Sequence, residues 1–170
     1  MVKRFDRKGS ERIHFSSAMT LLGKTDGVGT DGTSYLDIGS FIRSNGATPR
    51  RDLKELWMRV VFNIAVSNTD DHLRNHGFLL TERGWTLSPM YDVNPNIYGN
   101  TLTLNININD NSAGFDLALE TAENYDIDLN SAKKTIAEIR KTICESWRTL
   151  AVEYGLSRDA IDRMEPAFVV

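Results

Sequence analysis

The amino-acid sequence predicts a single α+β domain that is predominantly helical and carries small β hairpins. Three observations predict it. Two stretches, 53–65 and 132–154, place apolar residues at helical spacing. The short runs Phe78-Leu79-Leu80 and Trp85-Thr86-Leu87 flank Glu82-Arg83-Gly84 as the arms of a hairpin flank a turn. Between 67 and 100 polar loop residues accumulate.

Taken in order, residues 2–6 and 11–15 have the composition of short strands on either side of the turn signal Lys8-Gly9-Ser10. Ser16 or Ser17 can cap a short helix through Leu22, and the glycine-bearing stretch 23–32 follows as a loop. Leu36 to Ile42 has helical spacing. Thr48 is placed as an N-cap before Pro49, which sits at the first helical position, where its missing N–H costs nothing. Leu53, Leu56, Trp57, Val60, Val61, Ile64 and Ala65 then form the stripe of a helix buried on one face and ending near Val66. Leu102, Leu104, Ile106 and Ile108 alternate with polar residues, which predicts a strand with one buried face. Phe115 to Thr121 reads as a short helix. Ala132 to Tyr154 is a long amphipathic one closed by Gly155, and Ser157 to Met164 is a last helix. Trp57, Trp85 and Trp147 read as packing residues. The Lys133-Lys134 and Arg140-Lys141 pairs read as a solvated helix face.

Composition narrows the function classes. With 20 Lys+Arg against 23 Asp+Glu the net charge is −3 over 170 residues, with no basic block, so no direct nucleic-acid binding is expected. One cysteine, Cys144, excludes an internal disulfide framework and an all-cysteine metal cluster. No run of about 18 apolar residues predicts a membrane span, and the charged start has no signal-peptide pattern. These features point to a cytoplasmic setting. A chain of this length buries roughly 70% of its extended surface and needs no staples.

The chemistry concentrates in Ser67-Asn68-Thr69-Asp70-Asp71-His72-Leu73-Arg74-Asn75-His76-Gly77-Phe78, followed by Leu87-Ser88-Pro89-Met90-Tyr91-Asp92. Kinases need a carboxylate that orients a substrate hydroxyl, an amide five residues on that can hold Mg²⁺, and a second carboxylate on Mg²⁺ carried in by a following hairpin. Asp70, Asn75 and Asp92 stand in that order and spacing, and all offer the hard oxygen donors Mg²⁺ prefers.

Thr69 to Asn75 together with Leu87 to Asp92 resembles the HipA-type serine/threonine kinases, the toxin components of HipBA modules. Val2 to Arg7 is similar to that family's hinge strand, and Asp31-Gly32 falls where its members carry an Asp-Gly-Gly stretch. The resemblance implies a protein-kinase-like C-terminal lobe. It implies Asp70 as the catalytic aspartate, Asn75 and Asp92 as Mg²⁺ ligands, and ATP as the nucleotide. Lys3 and Phe5 would meet the adenine through backbone groups, while Asp6 and His72 would lie near the ribose and phosphates. The implied partners are a protein substrate phosphorylated on Ser or Thr and a HipB-like DNA-binding antitoxin. Family targets include glutamyl-tRNA synthetase, but nothing here specifies that target. On this reading residues 1–170 are one lobe beginning at the hinge, without the N-terminal lobe that supplies the phosphate-covering loop and its lysine. Little or no activity is then expected of the lobe alone.

Competing readings are weaker. Gly27 to Gly32 spells G-x-G-x-x-G, but what precedes it reads as helix, whereas a dinucleotide fingerprint follows a strand. Gly23-Lys24-Thr25 lacks the first Walker glycine, Ala18 standing there. His72 and His76 stand at i and i+4 but without the Glu of a zincin; with Asp71 they sketch a metal phosphohydrolase. A different class is a non-catalytic binding or assembly module built on the kinase fold.

Overall fold

The computed structural model describes residues 4–25 and 32–169. Its first element is a small hairpin in which β1 (Arg7–Lys8) pairs antiparallel with β2 (Glu11–Arg12). The first strand forms at Arg7–Lys8, after the predicted 2–6, of which 4–6 lie outside the ladder and Val2 and Lys3 outside the described residues. The second is shorter than the predicted 11–15, and the hairpin turns through Gly9 at φ +62. β3 (Phe15–Ser17) leaves it and becomes the edge of a second sheet, ordered β3-β4-β5, with β4 (Gly77–Thr81) central and β5 (Gly84–Leu87) beyond it. The predicted hairpin is therefore β4–β5, in register Phe78 opposite Leu87 and Thr81 opposite Gly84. The third strand comes from 60 residues upstream, a pairing that local sequence does not signal.

Ser17 accepts from the Thr20 N–H and starts α1 (Ala18–Leu21). Ser34 and Asp37 make a reciprocal capping box for α2 (Tyr35–Asn45), each side chain holding the other's backbone N–H. α3 (Pro49–Ala65) begins with Pro49 as expected, but Thr48 makes no side-chain cap. Its hydroxyl instead donates to Asp52 at 3.3 Å. The apolar stripe of α3 is fully interior: Leu53, Leu56, Trp57, Val60, Val61 and Ile64 are all buried, each worth about 1.5–3 kcal/mol of burial or more. Trp57 also satisfies its indole N–H on the Ala118 carbonyl at 2.9 Å. Against this stripe pack α2, α4 (Phe115–Thr121) and α5 (Leu129–Glu153).

α5 is capped by Asp128, which accepts from the Ser131 N–H at 3.0 Å, and is followed by Gly155 at φ +80. Its far half leaves the core and is braced by α6 (Arg158–Met164) and the turn after it. There Trp147 stacks on Phe168 at 4.2 Å, and Arg148 pairs with Glu165 at 2.6 Å. Lys134 and Lys141 lie in exposed i,i+4 pairs, and Arg140 rests over the Phe115 ring.

One predicted element is absent. Residues 102–108 form no strand, only isolated bridges such as Ser34 with Asn105. Their alternation does select burial, with Leu102, Leu104 and Ile106 inside, but Ile108 is 71% exposed. Side chains divert the backbone from a ladder. Asn107 accepts from the Asn109 and Asp110 N–H groups, Asn105 donates to the Ile108 carbonyl, and Asn111 donates to that of Leu102.

Candidate functional site

α3 carries a second face that its apolar stripe conceals. Asp52, Arg59 and Asn63, spaced at seven and four residues, share one side of the helix and are 2%, 4% and 0% exposed. Each holds a different piece of the site. Asp52 accepts from the Leu87 N–H at 3.1 Å, Arg59 donates to the Ser88 carbonyl at 2.5 Å, and Asn63 donates to Asp71 at 2.6 Å. The end of β5 and the loop after α3 are thus both hung from one rigid element. Sequence reading nominated none of the three. The available signal was a polar row bordering the apolar stripe, which is also what a solvent-facing row looks like.

The loop from Ser67 to His76 turns on a buried carboxylate. Asp71 Oδ2 accepts from the Tyr35 hydroxyl at 2.7 Å, from Asn63 at 2.6 Å and from His76 Nε2 at 2.9 Å. Burial opposes ionisation of Asp71, but the His76 imidazole and the hydrogen bonds from His76 and Tyr35 together hold it below the usual carboxylate range. Burial, then the Asp71 charge, raises the Tyr35 phenol, which stays a donor. His76 is thereby turned into the core, and its ring meets Tyr35 edge-on at 5.6 Å. His72 instead accepts from Arg74 at 3.2 Å. The two histidines have separate partners, so the i,i+4 pair does not form the metal site sketched for a phosphohydrolase.

With Asp71 anchored inward, its neighbour Asp70 is exposed. Asn75, buried in the single 3-10 turn Leu73–Asn75, donates Nδ2 to the Asp70 carbonyl at 3.3 Å, which closes the loop on itself and leaves Oδ1 as its outward acceptor. Asp92 is exposed after β5, at φ +57, a left-handed conformation uncommon for a non-glycine residue. Ser67, at the start of the other loop, has φ +50. Strained backbone of this kind persists where surrounding bonds over-determine it, and here they do. Tyr91 OH donates to the Arg74 carbonyl at 2.6 Å, the Asn94 N–H to Asn68 Oδ1 at 3.3 Å, and Asn96 Nδ2 to Thr69 Oγ1 at 2.7 Å. Thr103 donates to the Thr69 carbonyl from both its N–H and its hydroxyl. The loop of Asp70 and Asn75 and the loop of Asp92 are laced together.

Of the remaining nominated residues, Phe5 packs on Tyr91 at 5.8 Å and on Phe15 at 6.0 Å, forming an aromatic trio beside Asp92. Asp6 holds the Arg4 guanidinium with both oxygens, and that bond keeps its carboxyl below the usual range. His72 Nδ1 is buried and has no hydrogen-bond partner among the described residues, so it carries the ring proton that Nε2, accepting from Arg74, does not. Lys3 and most of the 27–32 loop lie outside the described residues.

Among the described residues no three His, Cys, Asp or Glu side chains cluster as a metal cage. Mg²⁺ does not require one, since it keeps several waters and takes one or two protein carboxylates beside substrate phosphates. Two exposed carboxylates and an outward amide oxygen fit that demand. Among the described residues no helix is long and apolar enough to cross a membrane.

The sequence matches the HipA-like C-terminal domain model over residues 1–147. The chain belongs to the HipA-like C-terminal domain family. A Sinorhizobium fredii protein named "Putative kinase Y4mE" is 29% identical over 101 residues, covering 55% of this chain and 24% of the relative. A Haemophilus influenzae protein named "Putative kinase" is 29% identical over 115 residues, covering 60% and 34%. The Shewanella oneidensis HipA, solved with HipB and its operator DNA, superposes with a TM-score of 0.77 at 17% identity, covering 97% of this chain and 45% of that one. At that identity the likeness speaks for the fold, which for the HipA-like domain is the helical α+β lobe described above. This HipA-like chain spans less than half the length of each of these proteins.

Proposed function

We propose that this HipA-like domain is the C-terminal catalytic lobe of an ATP- and Mg²⁺-dependent protein serine/threonine kinase of the HipA toxin type. The observation that carries the reading is the lacing of two loops so that Asp70, Asn75 and Asp92 present oxygen donors in the kinase order. Asp70 accepts the proton of a substrate serine or threonine hydroxyl as that oxygen bonds to the γ-phosphorus and the bond to the ADP leaving oxygen breaks. Asn75 Oδ1 and the Asp92 carboxylate hold Mg²⁺, which neutralises charge on the phosphates. The buried Nδ1 proton of His72 has no partner among the described residues and is suited to a phosphate oxygen. The Phe5 and Lys3 backbone groups meet the adenine, to which the trio of Phe5, Phe15 and Tyr91 adds an apolar surface, and Asp6 lies near the ribose and phosphates.

Because the chain spans under half of the proteins it matches, full transfer and recognition of the protein substrate are assigned to the longer kinase. A HipB-like antitoxin is the proposed partner, since the matched Shewanella HipA is held with HipB. Calorimetric titration with ATP, with and without Mg²⁺, beside Asp92→Ala and Asp70→Asn, tests the reading. Mg²⁺-dependent binding abolished by Asp92→Ala and retained by Asp70→Asn is expected. Asp70→Asn in the full-length kinase should then abolish transfer. Binding indifferent to Asp92→Ala would sink the metal assignment and favour a non-catalytic module.

A further inference from the structure

Asn68 and Asn63 touch neither nucleotide, metal nor substrate in the kinase reading, yet they are 1% and 0% exposed and stand behind its two loops. We propose that Asn68 is a positioning residue, the centre of a buried amide relay that sets Asp92 against the loop of Asp70 and Asn75. The relay's meaning for metal binding rests on the kinase reading; its existence as a coupling does not.

The polarity of the relay is determined link by link. The ionised Asp71 carboxylate only accepts, so Asn63 must turn Nδ2 to it, and does so at 2.6 Å. Asn63 Oδ1 then faces Asn68, which must answer with Nδ2, at 3.1 Å. Asn68 Oδ1 is left pointing onward, and there it meets the Asn94 backbone N–H at 3.3 Å, a donor that cannot be flipped. The Asn94 side chain donates to Asp92 Oδ1 at 3.0 Å. From the carboxylate beside Asp70 to that of Asp92, each link has one allowed orientation. Only a residue with one donor and one acceptor end at this length fits position 68. Aspartate lacks the donor, leucine lacks both, and glutamine adds a methylene to a filled interior. The surface ties through Tyr91 and Asn96 can exchange their partners for water, whereas the Asn63–Asn68 link cannot.

The test uses the whole chain as wild type, Asn68→Ala, Asn63→Asp and Asp92→Ala. Amide hydrogen exchange is followed at 70–75 and 92–96, and Mn²⁺ is titrated in the presence of ATP. Asn68→Ala should speed exchange in both segments while the α3 and α5 amides stay protected, and should weaken Mn²⁺ binding by about 10- to 100-fold. Asn63→Asp sets two carboxylates face to face and should do the same. Unchanged exchange at 92–96 in Asn68→Ala overturns the relay. If Asn68→Ala does not fold, Asn63→Asp decides, and unchanged exchange at 92–96 in that variant likewise overturns it. Mn²⁺ binding that is absent, or indifferent to Asp92→Ala, refutes the metal reading alone, and the exchange data still decide the coupling.

Discussion

The Tyr91 hydroxyl donates to the Arg74 carbonyl at 2.6 Å, so the residue before Asp92 is bonded to the residue before Asn75. Burial, more than any charge nearby, pushes the Tyr91 phenol up to about 12, so the donor proton is present at every pH at which the protein would be handled. Tyr91→Phe keeps the ring contacts with Phe5 and Phe15 and removes only this bond. We expect a loss of about 1 kcal/mol in urea unfolding with an unchanged denaturant slope. Mg²⁺-ATP binding should weaken severalfold. An unchanged unfolding midpoint would mean that the bond is replaced by water at no cost.

Two adjacent aspartates should behave in opposite ways. Asp70 is exposed, and Asp70→Asn should alter stability by no more than about 0.5 kcal/mol. Asp71 is buried among three donors, and its folded pKa lies below the unfolded value. A carboxyl depressed in this way adds stability that is complete above its unfolded pKa of about 3.9 and is lost as pH falls through the lower folded value. Wild type should therefore exceed Asp71→Asn in unfolding free energy above about pH 5. That margin should shrink below about pH 4. A margin independent of pH, measured by denaturant unfolding across this range, would show that Asp71 contributes no net charge interaction.

Gly77 pairs with Ser17 across β3–β4, and a methyl group there would overlap the Phe15 ring and crowd Ser88 Oγ. Gly77→Ala should cost about 1–3 kcal/mol and push Phe15 off Tyr91. The cost should fall sharply in a Phe15→Ala background, because the overlapping ring is gone. Additive effects in that double-mutant cycle would place the strain elsewhere.

Much of this protein follows from the sequence alone. The α3 stripe, the Glu82-Arg83-Gly84 hairpin, the Ala132 to Tyr154 helix closed by Gly155 and the spacing of Asp70, Asn75 and Asp92 are local patterns. Periodicity and turn chemistry report them without reference to the rest of the chain. At 102–108 local pattern and structure part company. Alternation decided which of Leu102, Leu104 and Ile106 are buried, but the intervening asparagines took their hydrogen bonds from the loop itself, so no ladder formed. Tertiary structure decided that β3 joins β4, that Asp71 rather than Asp70 turns inward, and that Asn63 and Asn68 are interior. A polar residue at the edge of a helical stripe reads the same whether it meets water or another loop. What separates the two cases is a partner such as Asp71 or Asn94, brought within 3.3 Å only once the helices have packed.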